Sequence, residues 1–430
     1  MSTNSSEDKS HDKKITRRDF LKLAGAAGVV ATLPSLIPFG KVFGGTKNDT
    51  NINQTSITNP VINKQTHSIH IFDLDRTKPQ FSSPNGSRTL MNADNFPILE
   101  GMGAVLLRLE KGGIREPHWH PNAAELSLCV SGTAKMTIYS TNARVDTFTI
   151  SPGQITFVPR AYWHDLENIG EEEVKFVIVY DNERPGDLGV SGSVGSLSAR
   201  VLDRMFGINP PGFFDQLNYK SIQDVTMGSK PVDFSSTGKV EVSNAHKFNL
   251  GGITPQIQTP GGTAALGMAN DFPILAGLAC FLLVLKPSGI VEPHTHPNAA
   301  ELNYVINGKV RFTVFGPNGE AETSEIGQGQ VFFVPPGYFH YLENPDNVNG
   351  NNVVSFFGNE NSEFIGIVGG LSAYSNEVLG SIFNKDPKFF SNLSKTRQKC
   401  VSCIRNGISK KYREKNIVNN PYLGSYSKQI

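Results

Sequence analysis

Cysteine is scarce, with four in 430 residues, and the four do not read as a disulfide framework. Cys129 and Cys280 sit inside apolar runs and read as buried thiols. Cys400 and Cys403 form a lone C-x-x-C in a basic tail, and without a second such pair they are weak evidence for a zinc or redox site. Charge of either sign is also lacking in excess: 40 Lys and Arg face 39 Asp and Glu. With no arginine-rich or aromatic-interleaved patch, nucleic acid is excluded as the expected partner, and small molecules take its place. Long apolar runs are missing except for one marginal stretch near the N-terminus, so no stable membrane span is expected. What the chain does have is 42 Gly and 26 Pro beside 38% hydrophobic residues, the balance of a turn-rich β protein with two to three domains.

The chain also repeats itself. Shifted by 176 residues, "EPHWHPNAAEL" (116–126) falls on "EPHTHPNAAEL" (292–302), and Phe96-Pro97-Ile98-Leu99 falls on Phe272-Pro273-Ile274-Leu275. The same offset carries Gly132 to Gly308, Gly153 to Gly329, Pro159 to Pro335, His164 to His340 and Asn168 to Asn344. Matches spread this widely mean duplicated domains. Within each copy, short Val-, Ile- and Phe-rich runs separated by Gly, Pro and Asn predict an antiparallel sandwich or barrel. "AVLLRLE", "AKMTIYS", "QITFVP" and "VKFVIVY" in the first copy answer to "CFLLVLK", "VRFTVFG", "QVFFVP" and "VVSFFG" in the second. Each copy then turns helical, at residues 198–207 and 375–384. These signals divide the chain into a leader over 1–45, a first domain over 46–230, a second over 231–400 and a basic tail over 401–430. The polar segment around 225–243 marks the boundary between copies, and residues 41–60, rich in Asn and Thr, read as a flexible leader.

His-x-His on a strand sends both imidazoles to one face, because side chains alternate with period two. The prolines and asparagines after each pair predict a bend that returns the glutamate to the same pocket. A third histidine follows 39 residues after that glutamate in both copies, far enough to return on another strand. The candidate ligand sets are therefore His118, His120, Glu125 and His164, and His294, His296, Glu301 and His340. A single histidine is usually core, cap or surface. Here six of the ten histidines occupy two triplets of identical spacing, which that reading does not accommodate. Three imidazoles and a carboxylate suit a first-row divalent ion with open positions, manganese or iron, whereas closed structural zinc more often recruits thiolates.

The spacing Gly112, His118, His120, Glu125, Gly132, followed by Gly153, Pro159, His164 and Asn168, resembles the two motifs of the cupin superfamily. The second copy repeats both motifs, with Ser288 in place of the first glycine, and Ala161 stands where the second copy keeps Gly337. Two such units resemble the bicupins of the oxalate decarboxylase and oxalate oxidase group over nearly all of residues 70–395. The resemblance implies an all-β fold of two tandem jelly-roll β-barrels with helical arms, manganese at both sites, dioxygen as co-catalyst, oxalate as substrate and a homo-oligomeric assembly.

The copies differ beside their ligands. Arg115 precedes His118 in the first, and Val291 takes its place in the second. In oxalate decarboxylases an arginine at this position pairs with the substrate, which makes the first domain the catalytic candidate; the plain alternative is a rim salt bridge. The family's proton donor is a glutamate on a mobile loop, and residues 177–197 laid over that loop put Asp187 at the acidic position, with Gly186 and Gly189 as candidate hinges. A solvated loop aspartate is the plain alternative here too. If no acid reaches the metal, oxidase chemistry giving peroxide follows. Glu360 and Glu363 in the second copy have no assigned role. Two other readings remain open: an iron or manganese oxygenase or isomerase acting on another small acid or diol, and a non-catalytic germin-like or storage-type metal binder.

The N-terminal stretch, residues 16–40, resembles a twin-arginine export signal, with Arg17 and Arg18 as the pair and Phe20, Leu21 and Lys22 after it. Pro34 and Pro38 interrupt its apolar run. No clear small-x-small cleavage pattern follows, which leaves removal and retention as an anchor both open. The resemblance implies export in a folded, metal-loaded state to a periplasmic or extracellular site.

Overall fold

The Val-, Ile- and Phe-rich runs form strands, and every pairing between them is antiparallel. The computed structural model describes residues 68–217, 224–228, 244–317, 319 and 321–393. The signal, the leader, most of the linker, Cys400, Cys403 and the basic tail lie outside the described residues.

Each copy folds into two sheets that face each other as a barrel. In the first, one sheet orders Ile155–Val158, Glu125–Ser131, Val174–Tyr180, Gly103–Leu109, Gly86–Met91 and Phe81–Ser83. Its partner sheet orders Leu188–Gly189, Gly113–Trp119, Trp163–Asn168, Ala134–Tyr139 and Val145–Ile150, and Val225–Met227 also pairs with Gly113–Trp119. The second barrel repeats the scheme with Gln330–Val334, Glu301–Asn307, Asn351–Phe357, Ala279–Leu285, Gly262–Gly267 and Ile257–Thr259 in one sheet. Its other sheet holds Ala321–Gly327, Lys309–Phe315, Phe339–Glu343, Ile290–Thr295 and Ile365–Gly366. Alternation fills each interior: Leu107, Met136, Phe148 and Phe176 in the first, Phe281, Phe312 and Phe332 in the second.

The barrels exchange strands. Ile71–Asp73 pairs with Gln330–Phe332 of the second barrel, and Lys247–Phe248 pairs with Ile155–Thr156 of the first. A division of the chain near residue 230 therefore separates the copies in sequence but not in their sheets. Two further histidines related by the same 176 offset fasten these strands. The His70 ring nitrogen Nδ1 donates to the Phe333 carbonyl, and His246 Nδ1 to that of Phe157, each at 2.8 Å. The repeated Phe-Pro-Ile-Leu serves the same junction, because Phe96 packs on Phe72 and Phe272 stacks on Phe248. These rings join Leu126, Val177, Leu302 and Phe356 in a core shared by both barrels.

After its last long strand each copy makes helices, Val190–Gly195 and Ala199–Met205 in the first, Ile367–Ala373 and Asn376–Phe383 in the second. Ser198 and Ser375 cap the later helix of each pair by accepting from the amides of Val201 and Val378. Among the described residues no helix is long and apolar enough to cross a membrane. Cys129 and Cys280 are buried and free.

Candidate metal centres

In the first barrel His118 lies on strand Gly113–Trp119 and His120 just past its end, where a turn at Pro121 and Asn122 reverses the chain toward Glu125. His164, on the neighbouring strand, pairs directly opposite His118, beside a register shift that re-aims the side chains. Each imidazole is held from behind. Nδ1 of His118 donates to the Glu116 carbonyl at 2.8 Å, that of His120 to Gly186 at 2.6 Å and that of His164 to Tyr162 at 3.1 Å. With Nδ1 carrying the proton, Nε2 is left as a lone-pair donor turned inward. Glu125 Oε2 lies 3.1 Å from Nε2 of His120 and 3.2 Å from that of His164, and Ser127 donates to Oε1 at 2.8 Å.

The second barrel repeats this arrangement. His294 and His340 face each other across their strands, and Nδ1 of His294, His296 and His340 donates to the carbonyls of Glu292, Glu363 and Tyr338. Glu301 Oε2 lies 2.7 Å from His340 Nε2 and 3.1 Å from His296 Nε2. In both quartets all four residues are buried and their donor atoms fall within 4.8 Å of one another. That separation, with three neutral imidazoles and one carboxylate, fits a single first-row divalent ion. Burial strips water from a protonated His118 and Arg115 repels it, which holds this histidine well below its usual range. Burial alone would raise Glu125, but His164 and His120, when protonated, outweigh it through their charge and hydrogen bonds and hold the carboxylate low, the place a bound cation takes when the imidazoles are neutral. Glu301 is held low in the same way by His340 and His296.

Beside the first quartet, Arg115 and Asp187 meet. Arg115 is 4% exposed, and its Nη2 donates to Asp187 Oδ1 at 2.8 Å and Oδ2 at 2.6 Å. Its Nη1 lies 2.6 Å from Asp224 Oδ1. Arg88 grips the same two carboxylates, at 3.0 Å to Asp187 and 2.8 Å to Asp224. A small inner cavity of about 10 Å³, room for roughly one water, is lined by Arg88, Arg115, His118, Glu125 and Tyr180 with apolar neighbours. An outer cleft of about 650 Å³ shares both arginines and adds Asp187, Asp224 and Gly189.

Sequence reasoning did not single out Arg88, Tyr180 or Asp224, and it read Asn122 as part of a bend, not as a residue that fixes the Asp187 segment. Asn122 accepts from the Gly186 amide at 2.6 Å and donates to the Arg184 carbonyl, and Glu116 accepts from the Ser191 amide at 3.0 Å. A Cβ on Gly189 would stand 2.1 Å from Glu116 Oε1. Gly186 and Gly189, expected as hinges, are thus tied down, and Gly189 is glycine because a carboxylate passes close to it.

Among the described residues, the second barrel has no counterpart of Arg88, Arg115 or Asp187 that carries a charge. Strand pairing makes Ala264 the counterpart of Arg88, Val291 of Arg115 and Phe357 of Tyr180. Phe364 answers to Asp187, since the residues after each pair with the same positions of the ligand strand. Its ring stacks on His294 at 4.4 Å. Glu360 accepts from the Gly277 amide, and Glu363 contributes its carbonyl to His296.

A family model described as cupin matches residues 72–211 and again 248–389, and a model of the twin-arginine translocation pathway signal sequence matches residues 14–34. The oxalate decarboxylase of Bacillus subtilis strain 168 is 28% identical over 258 residues, covering 58% of this chain and 65% of that protein. A probable oxalate decarboxylase of Arthroderma benhamiae is 27% identical over 258 residues, 58% of this chain and 63% of that one. The match spans just under two thirds of the length of these relatives. Germin-like protein 2-4 of Oryza sativa subsp. japonica is 28% identical over 120 residues, 27% of this chain and 52% of its own. A solved structure of the Bacillus subtilis oxalate decarboxylase at pH 4.6 superposes with a TM-score of 0.70 at 23% identity, over 81% of this chain and 90% of that one. Another structure of that enzyme, described for its Mn(II) centres, superposes with the same score and identity over 81% and 92%.

Proposed function

The chain belongs to the cupin family, twice over, and from that premise we propose that it is a manganese-dependent bicupin that decarboxylates oxalate to formate and carbon dioxide at the first barrel. One observation carries the reading: Arg115 and Asp187 stand together beside the first quartet, while Val291 and Phe364 stand beside the second. The first site has charged groups for a dicarboxylate. The second is walled by apolar side chains and takes a structural role.

The eight ligands proposed are His118, His120, Glu125 and His164 with His294, His296, Glu301 and His340. The metal ion, when bound, supplies a seat for one oxalate carboxylate and, with dioxygen as co-catalyst, the one-electron chemistry that loosens the carbon–carbon bond. Arg115 receives the other carboxylate through its two-pronged fork, in exchange for Asp187. Val105, Leu107, Leu166 and Ile178 line the inner cavity and keep bulk water from the reacting carbon. We assign the proton donor to Asp187, which, once released from Arg115, would take up a proton from the cleft and give it to the carbon that carbon dioxide leaves. Oxalate dianion plus one proton gives formate and carbon dioxide, so the acid must deliver one proton per turnover.

A second reading, an oxalate oxidase giving two carbon dioxide and hydrogen peroxide, draws on the grip of Arg88 and Arg115 on Asp187. An aspartate that stays there delivers no proton. Manganese-loaded protein incubated with oxalate at mildly acidic pH, with formate and peroxide measured separately, decides between them. Formate supports the decarboxylase, peroxide the oxidase, and neither product removes oxalate.

The twin-arginine signal supports export, and we place the mature protein in the periplasm or outside the cell. Exposed Met205, Phe206, Ile382 and Phe389 on the helical arms support assembly with further copies of the chain.

A further inference from the structure

The oxalate reading uses one guanidinium, yet the first barrel presents two. Arg88 arrives on strand Gly86–Met91, away from the ligand strands in sequence, and lines both the inner cavity and the outer cleft. Arg88 and Arg115 each contact the same two carboxylates, Asp187 and Asp224. Those carboxylates are not equivalent. Asp224 is fixed beside strand Val225–Met227, its carbonyl accepting from the Glu116 amide at 3.1 Å. Both line the outer cleft, but the Asp187 side chain is 23% exposed against 12% for Asp224, and Asp187 contacts both arginines from the segment leading into Leu188–Gly189.

We infer that Arg88 is a specificity-determining residue, which joins Arg115 in a two-guanidinium seat and makes the first barrel prefer dicarboxylates to monocarboxylates. The inference rests on the oxalate reading above. When Asp187 leaves, Arg88, Arg115 and Asp224 sum to one positive charge. At the other end Glu125 reduces a divalent ion to one positive charge. The site then offers two cationic poles, and a small dicarboxylate dianion satisfies both. Formate fills only one pole, Asp187 returns to the arginines, and the one-carbon product leaves. In the second barrel Ala264 and Val291 remove the far pole entirely.

The test is calorimetric titration of manganese-loaded protein with oxalate and with formate, comparing the wild type with Arg88→Gln, Arg88→Lys and Arg115→Lys at matched metal content. Arg88→Gln is expected to weaken oxalate about 10–100-fold, the loss of a charge-assisted bond, while formate changes by less than about threefold. If Arg88→Gln fails to hold metal, Arg88→Lys decides, with an oxalate loss of about tenfold because a point charge replaces the planar fork. Oxalate binding unchanged in both Arg88 variants but lost in Arg115→Lys overturns this inference and leaves the oxalate reading intact. Equal weakening of oxalate and formate also overturns it, since Arg88 would then support only the architecture. A wild type that takes up no oxalate sinks both proposals together.

Discussion

Arg115 and Asp187 are 72 residues apart in sequence and joined by two hydrogen bonds to one carboxylate, at 2.8 and 2.6 Å. The arginine is buried and the aspartate, partly exposed, lines the outer cleft beside it. A guanidinium fork accepts one carboxylate at a time with full geometry. On the proposed reading, substrate and Asp187 compete for Arg115, and binding would free the acid to serve the carbon that needs a proton.

That competition makes Asp187→Asn informative. Asparagine still accepts from Arg115 but has no proton of carboxylic acidity to give. Formate production is expected to fall about 100-fold or more, with the peroxide fraction rising among the remaining products. Asp187→Glu should retain formate as the main product. Product analysis by enzymatic formate assay and peroxide assay reads both, and an unchanged formate yield in the asparagine variant removes Asp187 from the mechanism.

The two quartets can be told apart by light. The chain has two tryptophans, and both lie in the first barrel: Trp119 between ligands His118 and His120, and Trp163 beside His164. Their rings stack at 4.8 Å. Manganese in the first site should quench this fluorescence, and manganese in the second should not. Glu125→Gln is expected to weaken metal at the first site at least about tenfold and abolish the quenching. Glu301→Gln should lower metal content by one equivalent and leave the quenching in place. Elemental analysis alongside emission spectra checks both, and quenching that follows Glu301 would exchange the assignments.

The ligand quartets were readable because their signal is local and doubled: His-x-His, a glutamate five residues on and a third histidine at the same distance in each copy. The strands were readable for the same reason, as short apolar runs with period-two faces. Arg88, Asp224 and Tyr180 gave no such signal. Each reaches the site by strand pairing from a remote segment, and a lone arginine or tyrosine carries no spacing. The clue lay in the mismatches of the repeat, where the 176-residue offset aligns Arg88 with Ala264. The exchanged strands were also missed, although His70 and His246 fall on the same offset, because two or three residues of β pairing leave almost no pattern.

Burial sets the chemistry of the two described thiols. It pushes Cys129 up to about 12, outweighing the opposing effect of the Ser131 backbone, and Cys280 higher still. Because the thiolate is the nucleophile, raising the pKa lowers reactivity at any working pH. Native protein treated with iodoacetamide at pH 8 should remain unmodified at Cys129 and Cys280, and both should react once the chain is unfolded. Peptide mass spectrometry reads the sites, and rapid native labelling at Cys129 would show that its strand opens readily.

Two mismatches of the repeat carry backbone strain. Ala161 has φ 65° where its counterpart Gly337 has 77°, and Ser288 has φ 56° where Gly112 has 74°. A side chain in the left-handed region costs about 1–2 kcal/mol, and glycine returns about 0.5–1 kcal/mol of that through its freer unfolded state. Each turn is nevertheless held: the Ala161 amide donates to the His120 carbonyl at 3.0 Å, as Gly337 does to His296 at 2.9 Å. Ala161→Gly and Ser288→Gly should therefore each stabilise the protein by ~0.5–1 kcal/mol, a rise of about 1–3 °C in Tm. Gly337→Ala should lower it by a similar amount. Thermal unfolding of metal-loaded protein measures all three. A fall in Tm for both glycine variants would mean that these side chains make contacts worth more than the strain they carry.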